Sequence, residues 1–304
     1  MMRRFQRFLL VFVLLCGLLT LSAHDVMAAD GRETPPPLRL GIVPFNSTQA
    51  LLRVHRPLRD YLTHALGREV TIYSARDHEQ FFGNMSKGYF DLVVVPEHFL
   101  PKAVDDGFIP LVRYRNLFEL LLVVRKDSGI TKTADLRGKR IGLPDRLSLY
   151  YIIGMQWLRT LALHPGKDYL LNDQSSHMTG LLAVDAGQID VAVTGRPPWM
   201  QLNPEVRARL RLIDVGHPTM PSLTTLAHRD LGGDEVARIR AALETFPEHP
   251  DGKRFFEDTG YGGFVPANVS DAENARHYEG LIYQLMMPAR NASGDAPAGA
   301  ERSH

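Results

Sequence analysis

The sequence predicts an α/β protein of two similar lobes, each a mostly parallel β-sheet flanked by helices, with a ligand cleft between the lobes. Three observations support this. The length of 304 residues corresponds to about two domains. Short apolar strands alternate with amphipathic helices over residues 38–106, and the same alternation restarts at residue 140. The chain passes between the two units twice, near Val124 and near Ser222, which indicates a cleft with a hinge.

The individual elements follow from apolar spacing and from residues that end helices and strands. The first strand alternates apolar and other residues and ends at Pro44, and the helix after it carries apolar residues at helical spacing and ends at Gly67. The predicted strands are residues 38–43, 69–73, 91–95, 117–125, 140–143, 169–171, 189–193, 211–215 and 222–228. The predicted helices are residues 50–66, 77–87, 101–106, 149–163, 178–185, 233–245, 252–258 and 271–286, the last with Ser270 as its N-cap. The predicted lobes are residues 38–122 with 222–287, and residues 125–215.

Composition and motifs exclude several classes of protein. Charged residues make up 23% and hydrophobic residues 44% of the chain, which excludes a disordered chain, a collagen and a polytopic membrane protein. The formal net charge is +1, so a nucleic-acid partner is not expected. The chain contains no G-x-S-x-G or H-E-x-x-H motif, and its single cysteine, Cys16, excludes an internal disulfide. We therefore expect no enzyme activity, no cofactor and no bound metal.

The first 28 residues have the three parts of a secretory signal peptide. Three arginines precede an almost unbroken apolar run over residues 8–21, and small residues around Ala28 offer a cleavage site. The run is shorter than the roughly 20 residues that span a bilayer, which favours cleavage over a membrane anchor. Lipidation of Cys16 is disfavoured because Cys16 lies inside the apolar run. An exported chain without cysteine suits the bacterial periplasm. The small, polar residues 288–304 predict a disordered tail.

Several segments, in this order, resemble one family of binding proteins. They are LGIVPF (40–45), PLRDYL (57–62), GYFDLV (88–93), VRKDSGI (124–130), DLRGKR (135–140), SH (176–177), AVDAGQID (183–190) and GFVP (263–266). Together they resemble the phosphate, phosphite and phosphonate type of periplasmic solute-binding protein that serves ABC transporters. The resemblance implies a type II periplasmic binding protein fold, with a small oxyanion clamped between two lobes and released unchanged.

The resemblance also implies a set of ligand-binding residues at the junctions between strands and helices. Helix N-termini carry partial positive charge and unpaired N–H groups, so they suit an anion. The candidates are Phe45, Asn46, Ser47, Thr48, Glu97, His98, Ser148, Tyr150, Ser176, His177, Thr194 and Arg196. Among them Ser47, Ser148, His177 and Arg196 are expected to hold the oxyanion. If His177 binds in its charged form, affinity should fall between about pH 6 and 8.

Two positions depart from the pattern of the family. The loop that usually carries a Ser-Thr-Ser-Gly run reads DRLSLYY over residues 145–151, in which only Ser148 remains. Glu97 follows the third strand, where a carboxylate would repel a dianion. Either Glu97 points away from the cleft, or the ligand carries a hydroxyl or amine, or the ligand is not a phosphonate.

The sequence therefore predicts a monomeric periplasmic protein that captures a small oxyanion for an ABC transporter permease. The alternative is a sensory protein that binds a different ligand and signals to a membrane receptor such as a histidine kinase.

Overall fold

A computed structural model describes residues 35–215, 221–280 and 282. The predicted signal peptide (1–28) and tail (288–304) lie outside these residues. None of the helices among them has the length and apolar character needed to cross a membrane.

Eleven strands and ten α-helices make up the described part of the chain. The strands are β1 (Leu38–Ile42), β2 (Val70–Tyr73), β3 (Leu92–Pro96), β4 (Phe108–Tyr114), β5 (Leu121–Arg125), β6 (Arg140–Leu143), β7 (Leu170–Asp173), β8 (Val191–Thr194), β9 (Leu210–Asp214), β10 (Leu223–His228) and β11 (Phe264–Pro266). The helices are α1 (Thr48–Leu66), α2 (His78–Ser86), α3 (Leu100–Asp105), α4 (Leu149–Thr160), α5 (His177–Asp185), α6 (Arg196–Met200), α7 (Pro204–Arg209), α8 (Gly233–Thr245), α9 (Pro250–Thr259) and α10 (Val269–Ala275).

The strands form two sheets, one in each lobe. The six-stranded sheet of the first lobe has the order β11-β4-β10-β3-β1-β2, and the five-stranded sheet of the second lobe has the order β7-β6-β8-β5-β9. In each sheet three strands are mutually parallel and the remaining strands are antiparallel to their neighbours. The predicted α/β fold class is confirmed, and both sheets are mixed, with parallel pairing confined to three adjacent strands of each sheet. Strand direction depends on how the chain returns after each crossover, which the local pattern of apolar residues does not record.

The sequence analysis missed strand β4 entirely. This buried strand lies between β10 and β11, and it contains Pro110, which cannot donate a ladder hydrogen bond. The register of β4 against β10 shifts between Thr225 and Leu226, where β10 passes Pro110. A proline inside an apolar run indicates an edge or an end of a strand, so the pattern alone argues against a central strand here. The short strand β11 and the helices α6 and α7 were also not predicted.

Three boundaries differ from those predicted for local reasons. Helix α4 ends at Thr160 rather than at residue 163, and Ala162 then adopts a left-handed conformation with φ of 54°. Helix α10 begins after Asn268, whose side chain accepts a hydrogen bond from the Ser270 N–H, so the N-cap is Asn268 and not Ser270. Strand β5 begins at Leu121, after the crossover, and not at residue 117.

The two segments that join the lobes run side by side. Leu117 and Pro221 form an isolated antiparallel bridge, and the Ser222 hydroxyl donates a 2.9 Å hydrogen bond to the Asn116 side chain. The first crossing therefore lies between β4 and β5, ahead of the predicted position near Val124, which is inside β5. The two crossover segments are therefore held together beside the cleft by this bridge and this hydrogen bond.

Each lobe uses the same kind of ion pair to join two adjacent parallel strands, β1 and β3 in the first lobe and β6 and β8 in the second. In the first lobe, Asp91 accepts hydrogen bonds from the Arg39 backbone N–H (2.7 Å), Nε (3.0 Å) and Nη2 (2.7 Å). In the second lobe, Asp190 accepts from the same three groups of Arg140 at 2.8, 3.1 and 2.8 Å. Bidentate pairs with an added backbone bond are strong and geometrically specific. They fix the register of strands whose carboxyl ends face the cleft.

We predict that Asp91→Asn lowers the free energy of unfolding by about 1–2 kcal/mol at pH 7. Burial alone would raise the pKa of Asp91, but its bonds to Arg39 lower it below the ordinary value. A lowered folded-state pKa stabilises the protein above the unfolded pKa of about 4, and this contribution is lost as the pH falls further. Urea unfolding of both proteins should therefore show a difference at pH 7 that shrinks below about pH 4.

Asp127→Asn is the control for this measurement. Asp127 also pairs with an arginine, Arg125, but its side chain is 68% exposed. Pairs of this kind contribute little to stability. An equal loss of stability in both variants would contradict the role given to Asp91.

Candidate functional site

A cavity of about 50 Å³ lies between the two lobes. The first lobe contributes Val43, Phe45, His78, Pro96, Leu223 and Tyr261. The second lobe contributes Ser148, Leu149, Tyr150, His177, Pro197 and Pro198. Phe118 and Ser222, from the two crossover segments, complete the described wall. This volume holds a few water molecules or a ligand of a handful of heavy atoms.

The cavity lies where strands end and helices begin. Val43 and Pro96 lie at the carboxyl ends of β1 and β3, while His78, Leu149 and His177 are the first residues of α2, α4 and α5. In open α/β sheets ligands bind at this edge, because the loops there converge. Three helix N-termini from two lobes therefore bring their positive ends to one small space.

Ser148 both begins α4 and lines the cavity. Its hydroxyl accepts a 3.2 Å hydrogen bond from the Tyr150 N–H, and the residue is 5% exposed. The hydroxyl hydrogen remains available for a ligand oxygen, since the cap uses only an acceptor position. Ser148 is the one serine in the segment 145–151, where the resemblance implied a longer run of hydroxyls.

His177 is buried against the wall of the second lobe. Its Nδ1 shares a 3.1 Å hydrogen bond with Thr194 Oγ1, and its ring meets the edge of Tyr150 with centroids 4.6 Å apart. Burial, with a smaller effect from His78, lowers the pKa of His177 to about 3. The imidazole is therefore neutral near pH 7, and the conditional expectation of a charged His177 does not apply to this structure.

The two predicted site residues with charged side chains do not line the cavity. Arg196 Nε donates a 2.6 Å hydrogen bond to Glu119, so its charge is already neutralised. Glu97 is 5% exposed, and burial together with Asp271 raises its pKa to about 7 against the influence of Arg113. The structure supports the possibility that Glu97 points away from the cleft, because Glu97 lies outside the described cavity wall.

The remaining candidates support the site from behind or lie at its rim. Asn46 is buried and its side chain accepts a 2.8 Å bond from the Ser47 N–H. Ser47 caps α1 through Ala50, and Thr48 is exposed, so neither lines the cavity. Ser176 caps α5 through the Thr179 N–H. The structure thus brings Phe45, Ser148, Tyr150 and His177 to the cavity, with Thr194 directly behind His177.

Sequence reasoning missed several lining residues, most notably His78, Ser222 and Tyr261. His78 occurs in the same sequence pattern as His177. Each histidine is the first residue of a helix that follows a strand, and each comes directly after the capping residue, which is Asp77 for His78. Ser222 lies in a crossover segment, a position that indicates a hinge but not a ligand contact. Tyr261 comes from a turn after α9 and carries no signal in the local sequence.

Polar contacts cross the cleft beside the cavity. His78 Nδ1 lies 3.5 Å from Asp145 Oδ2, and Glu79 lies 3.8 Å from Arg146. His98 Nε2 donates a 2.8 Å hydrogen bond to the Leu147 carbonyl. The loop that ends at Ser148 is therefore attached to the first lobe at three points.

Solved structures with the same fold include binding proteins for oxyanions. A binding protein component of an ABC phosphonate transporter from Pseudomonas aeruginosa is 20% identical, with 82% of this chain and 87% of that chain covered and a TM-score of 0.67. PhnD1 from Prochlorococcus marinus in complex with methylphosphonate is 15% identical, with 82% and 99% covered and a TM-score of 0.72. The aliphatic sulphonate binding protein SsuA from Escherichia coli is 16% identical, with 83% and 93% covered and a TM-score of 0.56. At these identities the likeness shows the fold, a two-lobed periplasmic binding protein.

The family comparison is more specific. Residues 40–272 match the model of a family described as ABC transporter, phosphonate, periplasmic substrate-binding protein. The match runs through both lobes and includes every described residue of the cavity wall. The chain belongs to the phosphonate family of periplasmic substrate-binding proteins of ABC transporters.

Proposed function

We propose that this protein captures a small phosphonate-type oxyanion in the cavity between its lobes and delivers it unchanged to an ABC permease. One observation carries the proposal: three helix N-termini, from two lobes, meet at a cavity that admits only a few heavy atoms. Helix N-termini bind anions through backbone N–H groups and the helix dipole. Membership of a transport family supports delivery to a permease over signalling to a receptor.

The polar groups of the described wall suit an anion that also has an apolar part. Hydroxyls come from Ser148 and Ser222 and imidazoles from His78 and His177, while Phe45 and Phe118 cover other sides. Among the residues that the structure describes, no lysine, arginine or carboxylate lines the cavity. A ligand amine would find no carboxylate partner there, and a methyl or hydrogen substituent would meet apolar side chains. A phosphite or a short alkyl phosphonate fits this arrangement.

Tyr150 shapes the cavity because of the glycine beside it. A Cβ atom at Gly195 would lie 2.0 Å from the Tyr150 hydroxyl and 2.4 Å from its Cζ. Phe118 packs on the other side of the ring, with centroids 4.3 Å apart. Gly195 is therefore required for space rather than for backbone conformation, since its φ of −129° is open to any residue.

The N-terminal signal pattern and the family together support export to the periplasm. We propose that residues 1–28 are removed and that the remaining chain acts as a monomer. It would then carry 32 basic and 33 acidic residues, because cleavage removes three arginines and one aspartate from totals of 35 and 34.

Titration calorimetry of residues 29–304 against small oxyanions tests the ligand class. We expect one-to-one binding of methylphosphonate and phosphite, at least about tenfold tighter than phenylphosphonate, because the cavity of about 50 Å³ excludes a ring. Methanesulphonate and phosphate serve as comparison ligands of similar size. Absence of binding across the panel, with folded protein, would contradict the proposed function.

Ser148→Asp tests the role of the α4 N-terminus without removing its cap. Aspartate caps helices as well as serine does, so α4 should keep its N-cap, and circular dichroism checks that the variant is folded. A carboxylate in a poorly solvated cavity should weaken methylphosphonate binding at least about a hundredfold by repulsion. Asn203→Asp adds the same charge at the N-cap of α7, outside the cavity, and should bind as the wild type does. Equal affinity in both variants would rule out ligand contact at Ser148.

Gly195→Ala tests the placement of Tyr150. The new methyl group must displace the ring into the cavity, so we expect affinity to fall at least about tenfold while the protein stays folded. Gly83→Ala is the control, since a Cβ there meets no atom within 4 Å and a helical alanine should stabilise α2 slightly. Unchanged affinity in Gly195→Ala, measured by the same calorimetry, would remove Tyr150 from the ligand site.

A further inference from the structure

A charge-poor cavity poses a problem for binding an anion. The described wall holds no lysine or arginine, and the nearby Arg196 is paired with Glu119 at 2.6 Å. Helix dipoles and neutral donors contribute, but transfer of a phosphonate out of water costs several kcal/mol unless it meets a compensating charge. The wall does contain two imidazoles, His78 and His177, which come from opposite lobes.

His78 lies where a cation is needed. It is the first residue of α2, it is 4% exposed, and it lines the cavity from the first lobe. Its Nδ1 is buried and makes no hydrogen bond with proper geometry. The charged atom that it faces is Asp145 Oδ2, at 3.5 Å. Asp145 lies on the loop of the second lobe that leads to Ser148.

Asp145 is held in place to face this imidazole. Its Oδ1 accepts a 2.8 Å hydrogen bond from the Leu147 N–H, which leaves Oδ2 directed to His78. Burial alone would raise the pKa of Asp145, but His78 and the Leu147 N–H lower it below the ordinary value. The carboxylate and the His78 Nδ1 are thus close enough to form an ion pair when the ring carries a proton.

The other two histidines beside the cleft are arranged differently. His177 Nδ1 is bonded to the Thr194 hydroxyl, and His98 Nε2 donates to the Leu147 carbonyl. Burial is the main cause that lowers the pKa of each to about 3, so both rings are neutral. The titratable groups beside His78 are therefore Asp145 and neutral His177, both from the second lobe, and neutral His98, from the turn after β3. Asp77, the N-cap of α2, precedes His78 in the chain.

We propose that His78 is an anion-binding residue whose imidazolium, paired with Asp145 of the opposite lobe, supplies the positive charge that the oxyanion requires. This inference rests on the proposed function and adds to it a mechanism. Asp145 reaches His78 only when the lobes meet. Closure of the cleft and protonation of the His78 ring therefore occur together. The bound anion adds a second negative neighbour to the ring, and binding is therefore accompanied by proton uptake.

Calorimetry in buffers of different ionisation enthalpy measures this proton uptake directly. The probe is methylphosphonate at pH 7.5, titrated into the wild type, His78→Gln and Asp145→Asn, each checked for folding by circular dichroism. Phosphoryl groups titrate near neutral pH themselves, but this contribution is common to all three proteins, so differences between them report the protein's own groups. The buffers contain no phosphate, which would compete for the site.

We expect the wild type to take up more protons per ligand than His78→Gln, and its affinity to fall as the pH rises from 6 to 8. His78→Gln should bind at least about tenfold more weakly at pH 6.5, and its pH dependence should reduce to that of the ligand. Asp145→Asn should weaken binding about threefold or more and reduce the proton uptake, because the imidazolium loses its partner.

Two control variants separate charge from other effects. His164→Gln removes an exposed histidine that pairs with Asp168 at 3.3 Å outside the cavity, and should leave affinity and proton uptake unchanged. Glu79→Gln removes the neighbouring contact across the cleft, to Arg146, but keeps His78, and should also leave proton uptake unchanged.

The outcomes distinguish the two proposals. If the wild type binds methylphosphonate and His78→Gln shows the same proton uptake, His78 is not the cation, and the proposed function stands alone. A loss of affinity in His78→Gln with unchanged proton uptake would assign His78 a structural role and overturn the inference. If no oxyanion binds to folded wild type, both proposals fail.

Discussion

The proposed function depends on one electrostatic constraint: an anion that binds here has to leave water and enter a small cavity whose described walls are mostly apolar. Few groups can compensate the lost hydration there. Helix N-termini do so with fixed dipoles, and they cost no reorganisation because the helices are already packed. Both lobes are arranged to place such N-termini at the same point. The position of α2, α4 and α5 is therefore the feature on which the proposed function rests.

The repeated ion pair shows how each lobe holds its strands in the required place. Arg39 with Asp91 joins β1 to β3, and Arg140 with Asp190 joins β6 to β8, by the same three hydrogen bonds. The loops that follow these strands form the cavity. A shift of one strand by a single residue would turn its side chains to the other face and move its loop away from the ligand. These pairs thus contribute to the geometry of a site that they do not contact.

The contacts across the cleft relate binding to the approach of the lobes. The loop before Ser148 contacts the first lobe through Asp145, Arg146 and the Leu147 carbonyl. A ligand that contacts both sides would stabilise the same arrangement, since it binds the closed state more tightly than the open one. Paired crossovers at Leu117 and Pro221 connect the two lobes beside the cleft.

The sequence by itself determined the fold class and most of the elements, because apolar periodicity and helix ends are local properties, and the resemblance of its ordered segments indicated the family. Four of the candidate residues, Phe45, Ser148, Tyr150 and His177, line the cavity. Tertiary structure decided the rest. Strand β4 contains a proline that local reasoning reads as a break, and strand direction depends on distant crossovers. Arg196 pairs with Glu119, and Glu97 lies near Asp271 and Arg113, all of them distant in the chain. The charges of Glu97 and Arg196 are therefore absent from the described cavity wall. His78 meets Asp145 only because two lobes come together, a contact across 67 positions that no local pattern encodes.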